Sequence, residues 1–198
     1  MAEETSKNNS SKYITILLAV VIIIAVGVYA YTHFVKKEPT SPDNNQPEGT
    51  LLTITVGSKS YNYSLNNFTA FSSITGQGSY INKIGKITGP NNYTGVSVSV
   101  LLSTIPSLTS NYTFQAIAND NYSINYTIDE LNGHVIIFNE TGGEIGTGNL
   151  TMIIAYKENG VYLNETTKGP LRIAFVGTEP ALTDSALWLG YLVKIDLI

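Results

Sequence analysis

The sequence predicts an α+β fold, predominantly β, set behind one N-terminal transmembrane helix. Three observations lead there. Tyr13 to Tyr31 form a nineteen-residue apolar run, YITILLAVVIIIAVGVYAY, in which Thr15 is the only clearly polar side chain. Beyond residue 50, apolar and polar residues alternate with a period of two over many short segments, as in strands with one face buried. Only short stretches there show helical spacing or caps.

At 1.5 Å per residue the apolar run spans about 28 Å, which matches a hydrocarbon core of ~30 Å. Tyr13, Tyr29 and Tyr31 lie at its ends, where amphipathic rings prefer the headgroup region. A buried soluble helix has no need of apolar residues on every face. A cleavable signal peptide has a shorter run and a small-x-small exit, whereas Tyr29, Tyr31 and Phe34 crowd this one. The expectation is an uncleaved signal-anchor over residues 13–34, preceded by a tail, residues 1–12. Residues 35–50 carry Pro39, Pro42 and Pro47 and form a semi-extended linker.

Lys7 and Lys12 before the helix balance Lys36 and Lys37 after it, so charge does not orient the anchor. Sequons do. Asn-x-Ser/Thr occurs nine times beyond the helix, at Asn62, Asn67, Asn92, Asn111, Asn121, Asn125, Asn139, Asn149 and Asn164. Such sites accept glycans only on the extracytoplasmic side. An Asn/Ser/Thr-rich chain makes some sequons by chance, but placement adds weight: in Tyr122 to Ile128 a strand would turn Asn125 to solvent and Tyr122, Ile124, Tyr126 and Ile128 inward. The tail is therefore expected inside and the domain at 51–198 outside a single-pass protein of the cell membrane.

Within that domain, Leu51 to Val56 and Tyr61 to Leu65 read as strands around the turn Gly57 to Ser60. A short helical turn is expected near Asn66. Val98, Leu101, Leu102 and Ile105 stand at i, i+3, i+4 and i+7 behind a Ser97 cap and before Pro106, which predicts a helix. Tyr112 to Ala118 and Tyr122 to Ile128 form a second hairpin around Asn119 to Asn121. Thr127 and Glu130 have capping-box spacing for a single turn ended by Gly133. Further strands are expected at His134 to Phe138, Leu150 to Tyr156, Leu171 to Val176 and Tyr191 to Leu197.

Composition narrows the function. Charged residues make up 13% of the 198 and the net charge is −4. Seven Lys or Arg against ten Asp or Glu beyond residue 50 leave no basic stripe for phosphates, so nucleic acid is not an expected partner. The chain has no cysteine, which removes disulfides, thiolate nucleophiles and thiolate-bound metals. The Gly-rich stretch Thr141 to Gly148 lacks the Lys-Ser/Thr ending of a phosphate loop and reads as a mobile hairpin loop. His134 opens a strand as a partly buried packing residue and has no second domain histidine beside it, so no metal site is expected. Asp129-Glu130 and Glu140/Glu144 read as capping and solvated acids.

Three stretches together resemble a known family. Asn92-Tyr93-Thr94-Gly95-Val96-Ser97-Val98-Ser99-Val100-Leu101-Leu102 is similar to the aromatic-x-Gly-Val-x-Leu-x-x-Leu-Leu stretch of the sulfite-oxidase-type oxidoreductase molybdopterin-binding domain. Asn119 to Ser123, continuing to Ile128-Asp129-Glu130-Leu131, looks like that family's hairpin running into its "DEL" turn. Gly169-Pro170-Leu171-Arg172 and the strand after it resemble the family's "GPLR" strand, followed by Trp188 and a closing strand. The resemblance implies a mixed α+β fold and a cofactor station at Gly76, Gln77, Gly78 and Arg172, and it makes molybdopterin the possible cofactor. Catalytic members hold molybdenum through a cysteine in a loop corresponding to Ile74 to Gly78, and this chain offers Thr75 and Gln77 instead. A thiolate donates charge to the metal in a way those side chains cannot copy. No catalytic residue and no bound cofactor are therefore expected.

The expected function is a membrane-anchored cell-surface module, binding or structural, with a surface protein as its possible partner. Two alternatives remain at this point: a pterin-binding component of a membrane-associated oxidoreductase, and a glycosylated adhesion or envelope-spacing domain. Dense sequons, the lack of cysteine and Ile/Asn/Lys-rich character point to an archaeal surface protein.

Overall fold

The computed structural model describes residues 49–106, 108 and 112–198. The tail, the anchor at 13–34, most of the linker and Asn111 lie outside the described residues. Among the described residues no helix is long and apolar enough to cross a membrane.

The chain opens with β1 (Thr50–Val56) and β2 (Lys59–Ser64), an antiparallel hairpin turning at Gly57 and Ser58. Gly57 has φ +57, a value that suits the residue without a Cβ. Ser64 then caps α1 (Leu65–Ala70), exchanging hydrogen bonds with Asn67, and α1 buries Leu65 and Phe68. Two strands follow that sequence reasoning missed, β3 (Ile74–Ile81) and the long β4 (Ile87–Ser97). Glycines and the Gly89-Pro90-Asn91-Asn92 stretch disguise them as turns, yet the two pair along most of their lengths. Each needs glycine for a packing reason. A Cβ on Gly95 would lie 2.3 Å from the Ile154 carbonyl oxygen, so only glycine lets β4 lie this close to its neighbour.

α2 (Val98–Ser103) buries Val98, Leu101 and Leu102, with Ile105 just beyond, as the spacing predicts. The expected Ser97 cap does not form: its hydroxyl bonds Ser99 Oγ at 2.7 Å instead of a backbone N–H. β5 (Phe114–Ala118) and β6 (Ser123–Tyr126) make the second hairpin, and α3 (Ile128–Leu131) carries the complete Thr127/Glu130 capping box. Gly133 follows at φ +82. Tyr126 points inward, but Tyr122 and Ile128 are exposed, because Tyr122 precedes the paired span of β6 and Ile128 already belongs to α3, so the strand alternation reaches neither.

β7 (His134–Phe138) and β8 (Glu144–Asn149) pair antiparallel. This corrects two expectations. His134 is exposed because Val135 takes the inward position beside it. The expected glycine-rich loop shrinks to a turn closed by Asn139, whose Oδ1 accepts from the Thr141 and Gly143 N–H groups, while Glu144 onwards is strand. The chain finishes with β9 (Thr151–Glu158), β10 (Val161–Tyr162), β11 (Arg172–Val176), β12 (Leu182–Asp184) and β13 (Leu192–Leu197).

Two sheets result. The smaller runs β2-β1-β13-β5-β6, with β13 parallel to β1 and antiparallel to β5. The larger runs β10-β9-β4-β3-β12-β7-β8, with β11 also on β9 and β12 parallel to β3. Gly177, just past β11, bridges to Gln77 of β3. β5 alternates buried and half-buried positions, whereas β11 is buried at all five residues and β9 at five of eight. β9 and β11 are thus covered on both faces, which explains the unbroken apolar runs MIIAY and IAFV. Fully burying side chains such as Phe114, Phe175 and Ile154 contributes roughly 1.5 to 3 kcal/mol each.

Candidate functional site at Arg172

Arg172 is the only arginine in the chain and opens β11. The strand's two-sided burial leaves it 3% exposed. Three rings surround its guanidinium carbon: Tyr93 and Trp188 centroids at 5.2 Å each and Tyr80 at 5.8 Å. The rings also touch one another, Trp188 lying 5.0 Å from Tyr80 and 5.3 Å from Tyr93. Each desolvated cation–π contact contributes up to about 2 kcal/mol.

The matching carboxylate is Glu158, at the end of β9, with Oε2 3.8 Å from Arg172 Nη1. Its other oxygen, Oε1, accepts from Asn91 Nδ2 at 2.6 Å and from the Tyr93 hydroxyl at 3.1 Å. The carboxylate is therefore pinned by β4, and the arginine meets it at a distance longer than a hydrogen bond. Arg172 Nε is buried without a partner. An orphaned donor costs about 1 to 3 kcal/mol, so the rings are the main favourable environment of this cation.

The phenols register the charge. Burial pushes the Tyr93 hydroxyl up to about 12, against the opposing pull of Arg172. At Tyr80 burial also works against ionisation, but Arg172 and Thr88 beside the hydroxyl outweigh it and hold the phenol below its usual value, with Lys168 adding to the effect. Trp188 is fixed from its other side: its Nε1 donates to Thr183 Oγ1 at 2.8 Å, and that hydroxyl donates to the Ser79 carbonyl at 3.1 Å.

Gly76, Gln77 and Gly78 lie in β3, where the resemblance led us to expect a loop. Their backbones pair with Tyr93, Asn92 and Asn91 of β4, and Gln77 also exchanges both backbone hydrogen bonds with Gly177. A Cβ on Gly78 would lie 2.6 Å from the Phe175 carbonyl oxygen and 2.7 Å from the Trp188 ring, and one on Gly76 would lie 2.8 Å from the Gly177 carbonyl oxygen. These glycines exist to let β11 and Trp188 close over β3. β3 thus brings Gly76 to Gly78 and Arg172 into one packed region, with Trp188 touching both.

The residues present do not fit a molybdenum–pterin group. No thiolate is available anywhere in the chain, Thr75 Oγ1 is hydrogen-bonded to Thr94 Oγ1 at 2.7 Å, and the backs of the glycines are covered. Among the described residues no three His, Asp or Glu side chains converge as a metal site would require. Two open grooves, of about 410 and 570 Å³, lie instead at the tips of the β3–β4 and β7–β8 hairpins, and neither is lined by Arg172.

Sequence reasoning singled out Arg172 but missed the residues that hold it: Tyr80, Tyr93, Glu158 and Asn91. One signal was present, since Tyr93 is the aromatic of the Asn92-to-Leu102 stretch. The eight described sequon asparagines, Asn62, Asn67, Asn92, Asn121, Asn125, Asn139, Asn149 and Asn164, are all exposed.

No protein-family model matches the chain, and no curated protein matches it. Among solved structures the domain is similar to the sulfane dehydrogenase SoxCD from Paracoccus pantotrophus, with a TM-score of 0.53 at 14% identity. The match covers 74% of this chain and 37% of that one, so the chain spans well under half of the dehydrogenase chain it resembles. At that identity the likeness establishes a shared fold, and the relation is distant.

Proposed function

We propose that this chain is a membrane-anchored, extracytoplasmic module of sulfite-oxidase-like fold that works by binding or structural support, without molybdenum catalysis. The fold reading rests on the three motifs in their order together with the likeness to the sulfane dehydrogenase. Each motif occupies one working joint of the domain: β4 into α2, the β5–β6 hairpin into α3, and the entry to β11.

The observation that carries the non-catalytic reading is the packing around Arg172. The resemblance would place this arginine near a pterin, and here the guanidinium is enclosed by Tyr80, Tyr93 and Trp188 and faces Glu158. The orphaned Nε favours the second reading, a pterin-binding component, because it leaves one donor free for a ligand that could displace a ring.

The test is elemental and pterin analysis of the full chain extracted from membranes of cells that make molybdopterin. Molybdenum and pterin fluorescence well below one equivalent are expected. Stoichiometric amounts of both would overturn the non-catalytic reading. Protease added to intact cells should in turn remove the domain and leave a membrane stub, and full protection would reverse the orientation.

A further inference from the structure

The two sheets leave four open edges among the described residues: β2 and β6 of the smaller, β10 and β8 of the larger. β11 is not one of them, since it is buried throughout and joined to β3 through Gly177. An exposed edge presents unpaired N–H and C=O groups to any passing strand, and proteins commonly blunt it with lysine or other charges. This chain does so sparingly. Lys59 is the only charged residue in β2 and Glu144 the only one in β8, while β6 and β10 carry none.

Each of the four edges carries a sequon. Asn62 lies within β2, Asn125 within β6 and Asn149 at the end of β8, and Asn164 follows β10 by two residues. Asn121 and Asn139 stand in the turns that lead into β6 and β8. Of the described sequons only Asn67, in α1, and Asn92, in the interior strand β4, lie elsewhere. The side-chain chemistry is consistent with modification. Asn62, Asn67, Asn139 and Asn164 all accept hydrogen bonds through Oδ1, and none of the described sequon asparagines donates through Nδ2 to another described residue. Asn91 and Asn159, which are not in sequons, do use Nδ2, towards Glu158 and Asn91.

We infer that Asn62, Asn125, Asn149 and Asn164 carry N-linked oligosaccharides that shield the four sheet edges from pairing with other copies of the chain. The donor class is an oligosaccharide linked to a polyisoprenyl phosphate or diphosphate. The Asn Nδ2 forms a bond to the anomeric carbon, the bond from that carbon to the phosphate oxygen breaks, the amide gives up one proton, and the lipid phosphate leaves. A hydrated glycan beside an edge strand keeps a second strand from approaching to the ~4.8 Å that pairing requires. Sugar thereby takes the place of the missing lysines.

This inference rests on the extracytoplasmic reading, and the experiment separates the two. The full chain is expressed in a host that performs N-glycosylation, purified in detergent, and analysed by peptide mass spectrometry and sedimentation. Glycopeptides at the four edge asparagines and a single sedimenting species are expected. The quadruple variant Asn62→Gln, Asn125→Gln, Asn149→Gln, Asn164→Gln should shift to associated species, while Asn67→Gln with Asn92→Gln stays as the parent. Lysine at the same four edge positions should restore the single species, which distinguishes edge pairing from misfolding. Absence of glycan at all sites removes the extracytoplasmic reading and this inference with it. Glycan at the edges with no association of the quadruple variant, or association that lysine leaves unchanged, overturns the shielding role alone.

Discussion

Among the described residues each sheet holds one ion pair, and the two hold it differently. In the smaller sheet Lys194 and Asp196 stand two residues apart on β13, on one face, with Nζ 2.8 Å from Oδ2 and the lysine 42% exposed. In the larger sheet Arg172 and Glu158 come from adjacent strands, 3.8 Å apart, with the arginine side chain almost wholly enclosed. Each pair leaves one buried atom without a partner, Asp196 Oδ1 in the first and Arg172 Nε in the second. The lysine keeps water as a partner, so little depends on its carboxylate. The arginine has given up water, and aromatic faces rather than the carboxylate hold its charge.

Removing the ring that joins the arginine to β3 should have the largest effect. Trp188→Ala is expected to cost roughly 3 to 5 kcal/mol, the range for deleting a buried aromatic, read as a lower midpoint in urea unfolding. If the cost is under about 1 kcal/mol, the rings are not the main support of the cation. Arg172→Ala comes next, at about 2 to 4 kcal/mol, since it leaves Glu158 uncompensated beside the cavity; partial exposure of that carboxylate keeps the figure below a fully buried pair. Arg172→Met should recover part of the loss by refilling the space, and failure to do so would show that charge rather than packing dominates.

The pH dependence sharpens the same contrast. Tyr93 is raised in the folded state, so its contribution is full below the unfolded value near 10 and is lost as pH rises towards about 12. Tyr126, raised well above its ordinary value by burial, acts in the same direction, and Tyr80, which is lowered, opposes both. Stability should fall between pH 10 and about 12, and Tyr93→Phe should flatten that fall. An unchanged profile in the variant would place the alkaline loss elsewhere. Smallest of all is Lys194→Ala, expected at under about 1 kcal/mol because solvent screens the pair. A larger loss would erase the difference between the sheets.

The parts of this fold that could be read from sequence are those where local chemistry and tertiary packing agree. His134 to Phe138, the Thr127/Glu130 box and the apolar face of α2 each satisfy both, and they appear where expected. β3, β4 and β8 are different. Their glycines look like turns because the reason for them lies far away in sequence: Gly95 answers to Ile154, and Gly78 to Phe175 and Trp188. Arg172 was visible as a lone cation, but its surroundings come from β3, β4, β9 and the turn before β13, and no spacing rule joins those segments.

The parallel pairing of β1 with β13 has a consequence in time. β13 sits between β1 and β5, so the middle strand of the smaller sheet is synthesised after the four strands on either side of it. The β1–β2 and β5–β6 hairpins can close locally as soon as they are made, but they have nothing in common until β13 arrives to join them. A domain wired this way carries two separate hairpins until that strand is made, and its smaller sheet then completes in a single step.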